Sequence, residues 1–131
     1  MDREELIKRL GQAGIKHTPE SILRIVERAD GSIVFLEIGD ERSGWQQILK
    51  DHAEDFANRG ITNGQIIDLM IKAITYGIII GRQGRSRTIY EIEFNNVKQY
   101  ISVEIGSNGY IVSANPTSAT LVRRFLRQEP R

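Results

Sequence analysis

Two histidines, His17 and His52, are the chain's imidazoles. With an unperturbed pKa of about 6.5, this side chain suits proton transfer near neutrality. His52 recurs with Trp45, Leu49 and Phe56 at intervals of three and four, so the spacing predicts one shared helical face. The ordinary explanation there is an imidazole at the core edge, hydrogen-bonded to backbone. His17 precedes a Thr18-Pro19 turn, where a loop histidine needs no further role. Between the two, a helix fixes an imidazole more tightly than a loop does, which favours His52 as a general base.

A second group is Gly81-Arg82-Gln83-Gly84-Arg85-Ser86-Arg87, which contains no acidic residue. Guanidinium groups fork onto phosphate oxygens, and the two glycines allow close approach to a ligand. The lysine and spacing of a Walker loop are absent, and a solvated basic hairpin explains the pattern equally well. Tyr90 follows as an aromatic that can orient a phosphate or stack on a base. Ser107, Asn108 and Asn115 sit at the ends of neighbouring segments, where turn formation and capping also account for them. Two histidines without cysteine or a His-Glu-x-x-His pattern predict no metal centre and no cofactor.

The elements that must position these residues follow from capping and periodicity. Asp2 with Glu5 has capping-box spacing and predicts a helix over Arg3–Leu10, with Ile7 and Leu10 as its apolar stripe. Ser21–Arg28 and Ser32–Ile38 flank Asp30-Gly31 and predict a hairpin. Ser43 with Gln46 predicts the start of a helix ending near Gly60. Thr62 with Gln65 predicts another over Gly64–Tyr76, buried through Ile66, Met70, Ala73 and Ile74. Ile89–Phe94 and Tyr100–Ile105 alternate as half-exposed strands around an Asn95-Asn96 turn. Asn108-Gly109 reads as a type I′ turn into a third strand, Tyr110–Ala114. Asn115 and Pro116 then suit the N-cap and first position of a last helix edged by Leu121, Val122 and Phe125. A meander of this order brings the loop before Arg87 and the turn after Ile105 to one end of the sheet.

Composition bounds the class. The 131 residues, with 40% hydrophobic and 27% charged side chains, predict one domain over residues 1–131. The fold expected is α+β, an N-terminal helical layer packed on a twisted antiparallel meander. Six charged residues within Met1–Leu10 leave no room for the apolar core of a signal peptide, so a cytoplasmic protein is expected. The run Ile78–Ile80 is far short of the roughly 20 residues that span a bilayer, so no membrane insertion is expected. Residues 1–60 carry 9 Lys/Arg against 12 Asp/Glu, and residues 61–131 carry 9 against 5. The second part is the better home for an anionic partner.

Gly44-Trp45-Gln46-Gln47-Ile48-Leu49-Lys50-Asp51-His52, with Asp55-Phe56, resembles the helix of small ribonuclease-toxin domains at the ends of bacterial polymorphic and contact-dependent toxins. Gly81 to Arg85, Ile89-Tyr90-Glu91 and Gly106-Ser107-Asn108-Gly109-Tyr110-Ile111-Val112-Ser113-Ala114-Asn115-Pro116 look like the sheet of the same domains. These belong to the barnase, EndoU, colicin-nuclease and RelE-like (BECR) fold group. The likeness spans about residues 12–116, including Ala13 to Glu20 with Lys16 and His17. It implies metal-independent attack of a ribose 2′-hydroxyl on the adjacent phosphate. The implied catalytic positions are His52, Arg87, Tyr90, Ser107 and His17; the implied RNA-binding positions are Lys16, Arg82, Arg85, Asn108 and Asn115. It also implies an acidic immunity or antitoxin protein as partner. One departure stands out: Gln47 occupies a position where such toxins often carry histidine. Activity is then weakened, rewired through His17, or lost, the last leaving a domain that binds nucleic acid or a protein partner.

Overall fold

The computed structural model of the protein describes residues 2–83 and 86–128. Its first helix, α1 (Arg3–Gln12), opens where Asp2 Oδ1 accepts the Glu5 N–H at 2.9 Å. It runs through Gly11 and stops at Gly14, which takes a left-handed φ of 72°. Leu6 and Leu10 are its buried residues, with Ile7 half-covered beside them. A single 3-10 turn over Pro19–Ser21 leads into β1 (Ile22–Glu27), which pairs with β2 (Ile33–Glu37) as the expected antiparallel hairpin.

The next helix, α2 (Trp45–Ala57), does not start with the Ser43–Gln46 box. Its N-cap is Gly44 at φ 84°, where a Cβ would lie 2.9 Å from both the Gly39 Cα and the Tyr110 hydroxyl. Ser43 Oγ pairs instead with Tyr110 Oη at 3.0 Å, and the Gln46 N–H goes to the Ile38 carbonyl. The helix thus begins where glycine permits the chain to pass under Tyr110. Ile48 and Phe56 are its fully buried apolar residues, while Leu49 and His52 are half-buried, so the stripe is rotated from the one the spacing predicts. By contrast α3 (Asn63–Tyr76) forms as its sequence indicates. Gln65 Oε1 accepts the Thr62 N–H at 2.9 Å, and Ile66, Met70, Ala73 and Ile74 are buried.

Four strands follow in a meander: β3 (Ile78–Gln83), β4 (Arg87–Phe94), β5 (Val97–Ile105) and β6 (Ile111–Pro116), paired in that order and all antiparallel. The sequence pattern missed β3. It is an edge strand with a bulge between Ile79 and Gly81, which breaks the alternation a strand would show. Asn95 and Asn96 both take positive φ, as the β4–β5 turn expected of them requires. The β5–β6 turn is not type I′. Only Gly109 is left-handed there, at φ 91°, and Asn108 Oδ1 accepts the Tyr110 N–H at 3.0 Å instead. Asn115 and Pro116 belong to β6, opposite Ser102 and Ile101, rather than to a helix start. The last helix, α4 (Ala119–Gln128), is capped by Ser118, whose Oγ accepts the Leu121 N–H at 3.0 Å. Val122 is buried, and the Phe125 side chain lies outside the described ones.

Antiparallel partners share a face, and the β4–β5 ladder runs unbroken from Arg87↔Glu104 to Phe94↔Val97. Thr88, Tyr90 and Ile92 therefore lie on one face with Ile101 and Val103; Arg87, Glu91 and Glu104 lie on the other. The first face meets α3 in a core that includes Ile66, Met70, Tyr90, Ile101 and Val103. Each large side chain buried there stabilises the fold by about 1.5–3 kcal/mol. α2 packs along β6, and Phe35 of β2 bridges to the β5–β6 turn through its N–H to the Gly109 carbonyl at 2.9 Å. The Tyr110 ring meets Phe35 edge-on, with centroids 5.7 Å apart. That junction ties the N-terminal hairpin to the end of the meander.

Candidate functional site

The structure gathers polar side chains at the sheet end that holds the start of β4 and the β5–β6 turn. Arg87, half-buried on the face away from α3, donates from one guanidinium nitrogen to Asn115 Oδ1 and from another to Glu104 Oε1 at 3.1 Å. Register explains the geometry. Glu104 faces Arg87 across β4–β5, and Asn115 faces Ser102 across β5–β6, so the long arginine reaches diagonally over β5. Ser86 Oγ also approaches Glu104, at 3.4 Å, and the Ile105 N–H closes the end on the Ser86 carbonyl at 3.1 Å. The result is a guanidinium, a carboxylate, a hydroxyl and an amide within one cluster. Such a set can bind a phosphate and accept a proton.

Ser107 and Asn108 stand exposed on the β5–β6 turn at the same sheet end. No hydrogen bond joins them to Arg87 among the described residues; they form one wall of a cleft of about 330 Å³ whose other wall is α1 and the β1–β2 turn. Arg9, Arg28 and Ser32 line it with them, and sequence reasoning passed over all three. Their signal was absent from local pattern, because roughly 75–98 positions separate them from Ser107 and it is the junction of β2 with the β5–β6 turn, through Phe35, Gly109 and Tyr110, that brings them together. Arg9 is engaged with Glu27 and with the Gly31 carbonyl at 3.2 Å. Arg28 Nε donates to Ser32 Oγ at 2.8 Å, and Ser32 in turn donates to Asp30 at 2.6 Å. The Ser32 hydroxyl, then its N–H, hold the Asp30 carboxyl below the usual carboxylate range.

The remaining expected site residues are dispersed. His52 is half-buried on α2 with Nδ1 3.1 Å from Asp55 Oδ2, and no hydrogen bond or ion pair joins it to Arg87 among the described residues. His17 lies in the loop after α1, with Nδ1 2.7 Å from the Ile15 carbonyl; Lys16 beside it is exposed. Tyr90 is 3% exposed and part of the core, so no base reaches its ring without opening that packing. Arg82 is exposed on the β3 edge, opposite Thr88, and therefore on the other face from Arg87. Arg85 lies outside the described residues. Gln47 is 9% exposed, its Nε2 bonded to Asp51 at 2.9 Å and its Oε1 buried without a partner among the described residues.

Among the described residues no three His, Asp or Glu side chains gather in a way that could hold a metal ion. No described helix is long and apolar enough to cross a membrane. No protein-family model matches the sequence, and no curated protein matches it.

Proposed function

We propose that the chain is a toxin-like ribonuclease domain of the BECR kind, which binds RNA at the Arg87 end of the sheet and cleaves it without a metal. The observation that supports this reading is the Arg87–Glu104–Asn115 cluster, in which the guanidinium is held on both sides and the arginine side chain is still 26% exposed. An RNA phosphate arriving there competes with Glu104 for Arg87. The carboxylate so released takes the proton of the ribose 2′-hydroxyl, and the 2′-oxygen forms its bond to phosphorus. The phosphorus–O5′ bond breaks, the O5′ takes a proton from water, and the products carry a 2′,3′-cyclic phosphate and a free 5′-hydroxyl. Arg87 stabilises the charge gathering on the phosphoryl oxygens, and Asn115 keeps its guanidinium aimed. DNA lacks the attacking hydroxyl and is not cleaved.

The experiment is incubation of purified protein with total RNA in excess EDTA, across about pH 5–8, alongside the Arg87→Ala variant. Cleavage by the wild type that the variant loses supports the proposal. RNA left intact at micromolar protein removes it.

Gln47 supports a second reading, an RNA-binding domain without turnover. It stands where the resembled toxins often carry histidine, and among the described residues no imidazole is hydrogen-bonded to the Arg87 cluster. Salt-sensitive RNA binding with no cleavage distinguishes this reading. If the protein does cleave cellular RNA, an acidic immunity protein that masks the Arg87 end is the partner to look for.

A further inference from the structure

The cleft between α1, the β1–β2 turn and the β5–β6 turn is lined by neither Arg87 nor Glu104 nor Asn115. Its volume, about 330 Å³, sits at the small end of the roughly 300–1,000 Å³ typical of small-molecule sites. Its apolar lining comes from the half-buried Ile15 and Ile33 over the buried Leu10, and the carboxylates behind its rim, Glu27 and Asp30, are already bound to Arg9 and Ser32. The polar groups left over on its rim are donors. Arg28 spends Nε on Ser32 and keeps both terminal nitrogens. Asn108 spends Oδ1 on the Tyr110 N–H and keeps its NH₂. The Ser107 side chain is exposed and makes no hydrogen bond among the described residues. Ser32 offers nothing more, since its hydroxyl already accepts from Arg28 and donates to Asp30.

A rim of donors over an apolar floor selects a ligand with an anionic head and a flat, weakly polar body. We infer that this cleft is a mononucleotide subsite: the phosphate sits on the Arg28 guanidinium, the base lies over Ile15 and Ile33, and Ser107 and Asn108 donate to acceptors on its edge. The choice of a nucleotide rests on the ribonuclease reading; the donor-rich chemistry of the rim does not. The β5–β6 turn that lines the cleft follows directly on the end of β5, which carries Glu104.

The test is NMR amide-shift mapping of the full chain with adenosine 3′-monophosphate, adenosine and inorganic phosphate, each at about 5 mM, where a millimolar site is mostly filled. The nucleotide is expected to move the amides of Ile15, Ser32, Ile33, Ser107 and Asn108. Nucleoside and phosphate alone should bind at least about tenfold more weakly, as each keeps only one part of the recognition. Arg28→Gln should weaken nucleotide binding at least about tenfold. Ser107→Asp, at an exposed turn position that leaves the fold alone, should do the same by repulsion. Shifts confined to Ser86, Arg87 and Asn115, or none at all, overturn the inference. RNA cleavage is measured separately: cleft shifts without cleavage sustain the subsite and remove the ribonuclease reading, whereas cleavage with unmoved cleft amides does the reverse.

Discussion

Arg87 and Tyr90 are three residues apart on β4 and point to opposite faces of the sheet, one into the cluster with Glu104 and Asn115, the other into the core under α3. An odd separation on an unbroken strand dictates this. Arg87→Ala should therefore act on RNA without touching the core: cleavage falls at least about 100-fold, as expected when charge stabilisation at phosphate is removed. Thermal stability should drop by no more than about 1 kcal/mol, since the pair is partly exposed. Tyr90→Ala should do the opposite, losing about 3–5 kcal/mol as a large side chain leaves a packed core. Denaturant melts beside single-turnover cleavage assays separate the two.

Gly109 supports both the turn and the junction of the two sheets. It has φ 91°, and a Cβ there would sit 2.1 Å from the Ile33 carbonyl oxygen, which is backbone and has little room to retreat. Gly109→Ala should cost at least about 2 kcal/mol, combining left-handed strain with the displaced β2. A melting temperature within a degree of wild type would show that the hairpin is not pinned to the turn in this way.

Gln47 carries a buried amide oxygen without a partner among the described residues. Leaving such a group dry costs about 1–3 kcal/mol, so an apolar replacement of similar size removes a penalty while giving up only the hydrogen bond to Asp51. Gln47→Leu should be neutral or up to about 1 kcal/mol stabilising. A loss above about 1.5 kcal/mol, read from urea melts, would mean that the Oε1 is satisfied by an ordered water.

The elements most legible in the sequence were those whose signals are local. Thr62 and Gln65 cap α3 because both halves of the box are three residues apart, and Asn95-Asn96 turns because two adjacent residues tolerate positive φ. Features set by distant contacts were hidden. Gly44 replaces Ser43 as the cap of α2 because Tyr110, far along the chain, fills the space above it. Asn115 reads as a helix cap until its pairing with Ser102 and its bond to Arg87 place it in β6. In the sequence Arg87 stands out as a basic residue and Ser107 and Asn108 as turn positions, whereas Glu104 reads as one more polar strand position. Only the register with Arg87 distinguishes it.

The β1–β2 turn should respond to acid. The Ser32 hydroxyl and then its N–H hold Asp30 below the ordinary aspartate value of about 3.9. A depressed folded-state pKa means the interaction is fully present above the unfolded value and is lost as pH falls through the folded one. As pH falls below the ordinary aspartate range and through the lowered folded value, Ser32 should release Asp30, and the Arg28 contact on the cleft rim should loosen with it. An NMR titration that follows the Asp30 carboxyl and the Ser32 amide checks this. An Asp30 midpoint at or above the ordinary value, or a Ser32 amide that does not move with it, would count against it.

The last prediction concerns which group takes the proton. Glu104 touches Arg87 directly, whereas the contact of the His52 imidazole is with Asp55 one turn along α2, and that of His17 is with the Ile15 carbonyl. A general base must lie within hydrogen-bond reach of the proton it removes, which places the base beside the phosphate that Arg87 binds. Glu104→Gln preserves shape and removes the basic oxygen. It should lower cleavage at least about 100-fold while RNA binding, freed of a competing negative charge at Arg87, stays equal or tightens. His52→Ala and His17→Ala should each keep cleavage within about tenfold of wild type, provided circular dichroism shows them folded. The split between turnover and binding is the informative readout, since misfolding would lower both. If folded His52→Ala loses turnover and Glu104→Gln does not, the base is the helix histidine, and the Arg87–Glu104 pair is a structural cross-strand ion pair.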